Sequence, residues 1–179
     1  MGLAVAEEHL EKPAAGNLAN DQRRFVVLID YSNLETGLRS AGIGFDKFEK
    51  ILLPILSFGK VTFGCVFVPH LTNMKLPIIQ MSNLFNFRIV QCPLEFTNRG
   101  VSKDKDTVDA VMIDEGISHI YHSDCTDIII ISGDGDFGRL AVRAMREGKE
   151  VHMISTSQAL SGDFRKLESP RIKVHIIEK

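Results

Sequence analysis

The stretch "DIIIISGDGDFGRL" (residues 127–140) decides the fold. Its four consecutive isoleucines show no alternation with polar residues, so a strand built from them is buried on both faces, as in a parallel sheet covered by helices. The run continues through Ser132 and Gly133 into Asp134 and Asp136, placing carboxylates where the chain turns toward a helix. Burial accounts for the isoleucines and leaves the acids to be explained.

Similar apolar blocks recur along the chain: "RFVVLI" (24–29), "VTFGCVFV" (61–68), "FRIVQC" (87–92), "VHMIS" (151–155) and "IKVHII" (172–177). Between them the pattern predicts helices at roughly 46–58, 74–86, 107–122 and 136–148, the last stopped by Gly148 in a left-handed conformation. Alternating strands and helices predict a doubly wound α/β sandwich with a mainly parallel central sheet. The segment 93–106, "PLEFTNRGVSKDKD", reads as the longest irregular connection and a natural place for function.

With 179 residues, 44% hydrophobic and 25% charged, the chain suits one domain, expected over 24–179 after a flexible leader at 1–23. That leader has no signal-peptide or myristoylation pattern, and no segment reaches the ~18 apolar residues of a membrane span, so a soluble protein with no membrane partner is expected. Cys65, Cys92 and Cys125 form no CxxC pair and sit in or beside apolar segments, as reduced, packed thiols of a cytoplasmic protein do. A balance of 21 basic against 23 acidic residues, net charge -2, excludes an overall basic footprint, so a nucleic-acid partner would be engaged locally.

In open parallel sheets, ligands bind beyond the carboxyl ends of the strands. "VVLI" runs into Asp30, and the isoleucine strand runs into Asp134 and Asp136, so both ends place acids on one rim. Asp109 falls in the first turn of the helix that follows the irregular segment, and completes a cluster if that helix starts at the same rim. Converging carboxylates raise one another's pKa unless a cation neutralises them, and hard oxygen donors suit Mg²⁺ or Mn²⁺. Such a site suits metal-assisted phosphodiester hydrolysis. The competing reading, GxGxxG in "GDGDFG" as a dinucleotide fingerprint, fails because its aspartates would repel a pyrophosphate and the next strand ends in "MISTS" with no acid for a ribose.

Taken together, "VVLIDYSNL" (26–34), "KDKDTVDAVMIDEG" (103–116), "IIIISGDGDF" (128–137) and "GKEVHMIS" (148–155) resemble the NYN domain family, including LabA-like proteins, within the PIN-like nuclease superfamily. The resemblance spans roughly residues 24–178. It implies a PIN-like, Rossmann-like three-layer sandwich whose rim acids hold divalent metal and cleave RNA. Carried over by position, Asp30, Asp109 and Asp134 form the metal group, Asn33 orients a carboxylate or water, and Ser132 and Asp136 belong to the last motif. Lys105 precedes Asp109 by four residues, and the fourth acid is Asp136, Asp114 or Glu115.

Each residue also has a purely structural reading. Asp109 in "DTVD" fits a helix cap, Asn33 fits a cap for a segment starting at Leu34, and Asp136 fits a cap for a helix starting at Phe137. Ser132 could satisfy backbone groups at the strand end. Arg99, Lys103 and Lys105 could grip phosphates or be the ordinary charges of a solvated loop. His119 and His122 lack a third soft ligand for zinc. The second "SGDF" (161–164) follows no apolar strand, which makes Asp163 a cap or packing feature. The function these observations point to is a metal-dependent ribonuclease acting on single-stranded RNA. The alternatives are a noncatalytic RNA- or protein-binding module of the same fold and, further off, a haloacid dehalogenase-type phosphatase. Homo-oligomerisation stays open.

Overall fold

The computed structural model describes residues 23–69, 76–97, 100–167 and 169–179. β1 (Arg23–Asp30) leads through α1 (Tyr31–Ala41) and α2 (Phe45–Leu56) to β2 (Gly59–Pro69), and α3 (Leu76–Phe85) carries the chain to β3 (Arg88–Cys92). A hairpin of β4 (Leu94–Thr97) and β5 (Gly100–Asp106) precedes α4 (Val108–His122), β6 (Asp127–Ile131), α5 (Gly138–Arg146), β7 (Glu150–Thr156) and β8 (Ile172–Ile177). Six strands form one sheet in the order β3-β2-β1-β6-β7-β8, with every neighbouring pair parallel. The order reverses between β1 and β6, which makes that pair the topological switch point.

The apolar runs alternate between two cores. Phe25, Val27 and Ile29 face a cluster with Leu34 and Leu38 of α1, Phe48 of α2 and Met81 of α3, whereas Val26 and Leu28 join Met112 of α4 and Leu140 of α5 on the other side. The result is a three-layer α/β sandwich, as the uninterrupted strands predict. Ile128–Ile131 are all 0% exposed, each worth roughly 1.5–3 kcal/mol of burial. Cys65, Cys92 and Cys125 are free and buried, with the Cys65 thiol pushed up to about 12, first by burial. No described helix is long and apolar enough to cross a membrane.

Three local expectations need correction. A helix, α1, occupies 31–41, where none was expected. Leu34, Leu38 and Ala41 are buried at helical spacing, and Asp30 caps the helix by accepting from the Asn33 N–H, so Asn33 is not the cap. The segment 93–106 is not irregular: β4 and β5 pair antiparallel, Leu94 opposite Asp106 and Thr97 opposite Gly100. A hairpin outside the main sheet needs no continuous apolar run, so apolar patterning misses it. Asp136 does not cap a helix at Phe137 either. Asp134 accepts from the Asp136 N–H and caps a short 3₁₀ turn, Gly135–Phe137, ahead of α5. Gly148 has φ 80° and ends α5 as expected.

The sheet's other rim holds a buried polar chain. Asp127 Oδ1 lies 3.3 Å from Arg23 Nη2 and 3.3 Å from His152 Nε2, Thr126 donates to Oδ2 at 2.6 Å, and His152 Nδ1 meets His175 Nε2 at 3.0 Å. Burial alone would raise the Asp127 pKa. The His152 and Thr126 hydrogen bonds and the Arg23 charge outweigh it and hold the carboxyl below its ordinary value. His175 is held down to about 4, chiefly by burial and then by the neighbouring His152 and Lys173.

Candidate active site at the switch point

Asp30 ends β1 and is 4% exposed, an uncommon position for a carboxylate unless it is paired. Its Oδ1 accepts from the Ser32 hydroxyl (2.9 Å) and the Asn33 N–H (3.0 Å), and its Oδ2 accepts from the Ser132 hydroxyl (3.3 Å). Ser132, just past the end of β6 and equally buried, also accepts from the Asp134 N–H at 3.2 Å. Asn33 reaches across the switch point, its Oδ1 accepting from the Gly133 N–H at 2.8 Å. Side chains at the end of β1 thus fix the backbone that carries Asp134. Next to Asp30, the buried Tyr31 hydroxyl is pushed up to about 12, first by burial and then by Glu35.

The loop after β6 is pinned from behind. Gly133 O accepts from Ser161 N at 2.8 Å, and a Cβ on Gly133 would lie 2.2 Å from Ala159 O, so only glycine permits this approach. Asp134 is partly exposed, with Oδ1 accepting one backbone N–H, and Asp136 is exposed.

Asp109 lies in the first turn of α4. Because α4 ends where β6 begins, its N-terminus opens at the carboxyl rim, and mid-helix Gly116 packs on Leu28 and Leu140. Asp114 and Glu115 sit farther along, with Asp114 exposed and Glu115 3.5 Å from His119, away from the rim. Among the described residues no three His, Cys, Asp or Glu side chains stand together in a set able to hold a metal ion. Asp30, Asp109 and Asp134 therefore share the rim without forming a closed trio. The oxygen donors match Mg²⁺ or Mn²⁺ in type, and Mg²⁺ is commonly bound by only one or two carboxylates plus waters and substrate phosphates. Arg99 lies outside the described residues, as do the side chains of Lys103 and Lys105 on β5.

Sequence reasoning underrated the second SGDF. Its Ser161 and Asp163 flank Gly135: Ser161 Oγ lies 2.9 Å and Asp163 Oδ2 3.7 Å from where a Cβ on Gly135 would sit. Asp163 makes no side-chain cap bond and pairs with Lys166 at 3.5 Å, while Phe164 is buried. The repetition of "SGDF" at 161–164 was the signal available for this. A cavity of about 1050 Å³ lies between α4 and α5, excludes Asp30 and meets the acidic rim at Gly135, Asp136 and Asp163.

A family model for the NYN domain matches residues 24–172. The chain belongs to the NYN domain family. NYN domains are part of the PIN-like superfamily, and membership points to nuclease-type chemistry. The chain is also similar to the crystal structure of a Vibrio parahaemolyticus protein of unknown function, with a TM-score of 0.62 and 17% identity, covering 85% of this chain and 92% of that one. That likeness concerns the fold. No curated protein matches the chain. In this NYN domain the first motif supplies the buried Asp30 and the Asn33 clamp, and the last supplies Ser132, Gly133 and Asp134.

Proposed function

We propose that this NYN domain is a cytoplasmic ribonuclease that hydrolyses phosphodiester bonds of single-stranded RNA at the β1/β6 switch point. Asp30 and Asp134 would hold Mg²⁺ or Mn²⁺, with Asp109 or Asp136 completing the site. The observation that carries the reading is the buried Asp30 carboxylate, oriented by Ser32, Asn33 N–H and Ser132, beside a partly exposed Asp134 whose loop Asn33 clamps. A cation bound there would lower the pKa of a water and offset charge on the scissile phosphate. Asp30 and Asp134 supply anionic oxygens, Ser132 holds the Asp30 carboxylate and the Asp134 backbone in register, and Asn33 prevents the loop from drifting. Preorganisation of this kind is what electrostatic catalysis requires.

The test is cleavage of a fluorescent single-stranded RNA in Mn²⁺ and in chelator by wild type and Asp134→Asn. Cleavage should require Mn²⁺ and be lost in the variant, because the near-isosteric amide cannot supply an anionic ligand. Undiminished cleavage by Asp134→Asn would refute the assignment. A second reading, a noncatalytic binding module, is favoured by the absence of a closed three-acid set among the described residues. RNA binding without cleavage under any metal would select it. A haloacid dehalogenase-type phosphatase needs a second acid two residues after its nucleophile. Here that residue is Ser32, which donates into Asp30.

A further inference from the structure

The sequence of α5, "GRLAVRAMR", buries Leu140, Ala141 and Ala144 and leaves Arg139, Arg143 and Arg146 exposed at helical spacing. No acid lies within the helix, and among the described residues no ion pair engages any of the three guanidiniums. All three line the α4–α5 cavity together with the acids Asp136, Glu147 and Asp163, which lie outside α5 and form no ion pair with them among the described residues; its far wall is apolar at Ile117 and carries the half-exposed Tyr121 ring, with Arg143 Cζ 5.7 Å from its centroid. The same cavity meets the acidic rim at Asp136.

We propose that the α4–α5 groove is the path of the RNA strand, with Arg139, Arg143 and Arg146 pairing with successive phosphates and Tyr121 offering an aromatic surface to a base. Its direction toward the rim rests on the ribonuclease reading, whereas binding in the groove does not. Charge complementarity on the α5 face selects this occupant, the acids of the cavity lying off that helix. Three unpaired guanidiniums on one helix face repel one another until a polyanion neutralises them, and arginine suits phosphate through its bidentate fork. From Arg139 to Arg146 the helix rises ~10 Å, close to three stacked nucleotides at roughly 3.4 Å each. An exposed aromatic beside a basic track is how single strands are held without sequence readout. The arginine face of α5 gives a chain of net charge -2 a local contact for a polyanionic substrate.

The experiment is fluorescence anisotropy of a labelled single-stranded RNA in chelator, across a salt series. The proteins are wild type, the triple variant Arg139→Gln/Arg143→Gln/Arg146→Gln, and Lys47→Gln/Lys50→Gln on α2 across the sheet. The triple variant should bind roughly tenfold or more weakly, and its salt slope should fall by about 2, at ~0.7 per phosphate contact of a single strand. The α2 variant should bind as wild type does. If the triple variant melts early, Arg139→Gln/Arg146→Gln, which keeps the Arg143–Tyr121 contact, should lower the slope by about 1.4. An unchanged affinity and slope in the groove variants, or no RNA binding by wild type, overturns the proposal. So does arginine-dependent capture of an acidic peptide without RNA binding. Groove-dependent binding without Mn²⁺-dependent cleavage would leave the groove standing and remove only the ribonuclease reading.

Discussion

Replacing Asn33 by leucine tests the clamp that joins the two halves of the site. The substitution is nearly isosteric and removes the acceptor that Gly133 N–H uses at 2.8 Å. Water cannot take over, because the crevice beside Asn33, lined by Leu34, Gly37, Ser132, Thr156 and Ala159, is too tight to hold a molecule. Gly133 is buried, so its N–H would lose its partner without solvent compensation, at about 1–3 kcal/mol. At roughly 2–4 °C per kcal/mol for a chain of this size, the Tm should fall by about 2–12 °C. The loop carrying Asp134 would also lose its tie to α1, so RNA cleavage should drop by more than the loss of folded protein explains. Differential scanning fluorimetry and a cleavage assay at a temperature where both proteins are folded measure the two effects. An unchanged Tm would refute the claim that this hydrogen bond is buried and irreplaceable, and a lower Tm with unchanged cleavage would refute its role in placing Asp134.

Three further outcomes are expected. Gly133→Ala should prevent stable folding, since its Cβ would lie 2.2 Å from Ala159 O, whereas Gly162→Ala, which meets no atom within 4 Å, should leave the Tm near that of wild type. His175, at about 4 in the fold against an ordinary 6.5, binds its proton more readily in the unfolded chain, so stability should be fullest above pH 6.5 and decline as pH falls toward 4. His175→Gln should flatten that stretch of the Tm-versus-pH curve, and an identical curve would refute the assignment. Asp30→Asn should change stability by no more than a few tenths of a kcal/mol, about a degree in Tm, because asparagine and aspartate are comparable N-caps, yet abolish cleavage; a large Tm loss would show the charge itself to be structural.

The sheet was readable because strands buried on both faces are written as unbroken apolar runs, and "DIIIIS" and "RFVVLI" could be little else. Helix α1 was hidden because Tyr31, Ser32, Asn33, Glu35 and Thr36 mask the Leu34–Leu38–Ala41 spacing, and the cap that starts it is itself a candidate site residue. The rim was legible in part. Asp30 and Asp134 follow from strand ends, but the Asn33–Gly133 bridge joins residues 100 apart in sequence, and no local pattern encodes such a pairing. Asp163 was discounted because its SGDF lacks a preceding strand, although the loop returns to Gly135 through Ser161. The arginines of α5 were visible at i, i+4 and i+7, but only packing reveals that their face lines a cavity and forms no ion pair among the described residues.

The structural and functional readings of Asp30 are one arrangement. An N-cap needs an oxygen near the Asn33 N–H, and a cation site needs a carboxylate held at a fixed position at the strand end. The cap bond, the Ser32 and Ser132 hydroxyls and the N-terminal end of α1 provide both. Capping alone, however, gives no reason for a charge at a site only 4% exposed, where a neutral asparagine would cap as well without the desolvation cost of an anion. Ser132 could equally accept from the amide, since a hydroxyl both donates and accepts. What aspartate has and asparagine lacks is the negative charge, and an anionic oxygen held at this strand end is what a cation-dependent phosphodiesterase would need there.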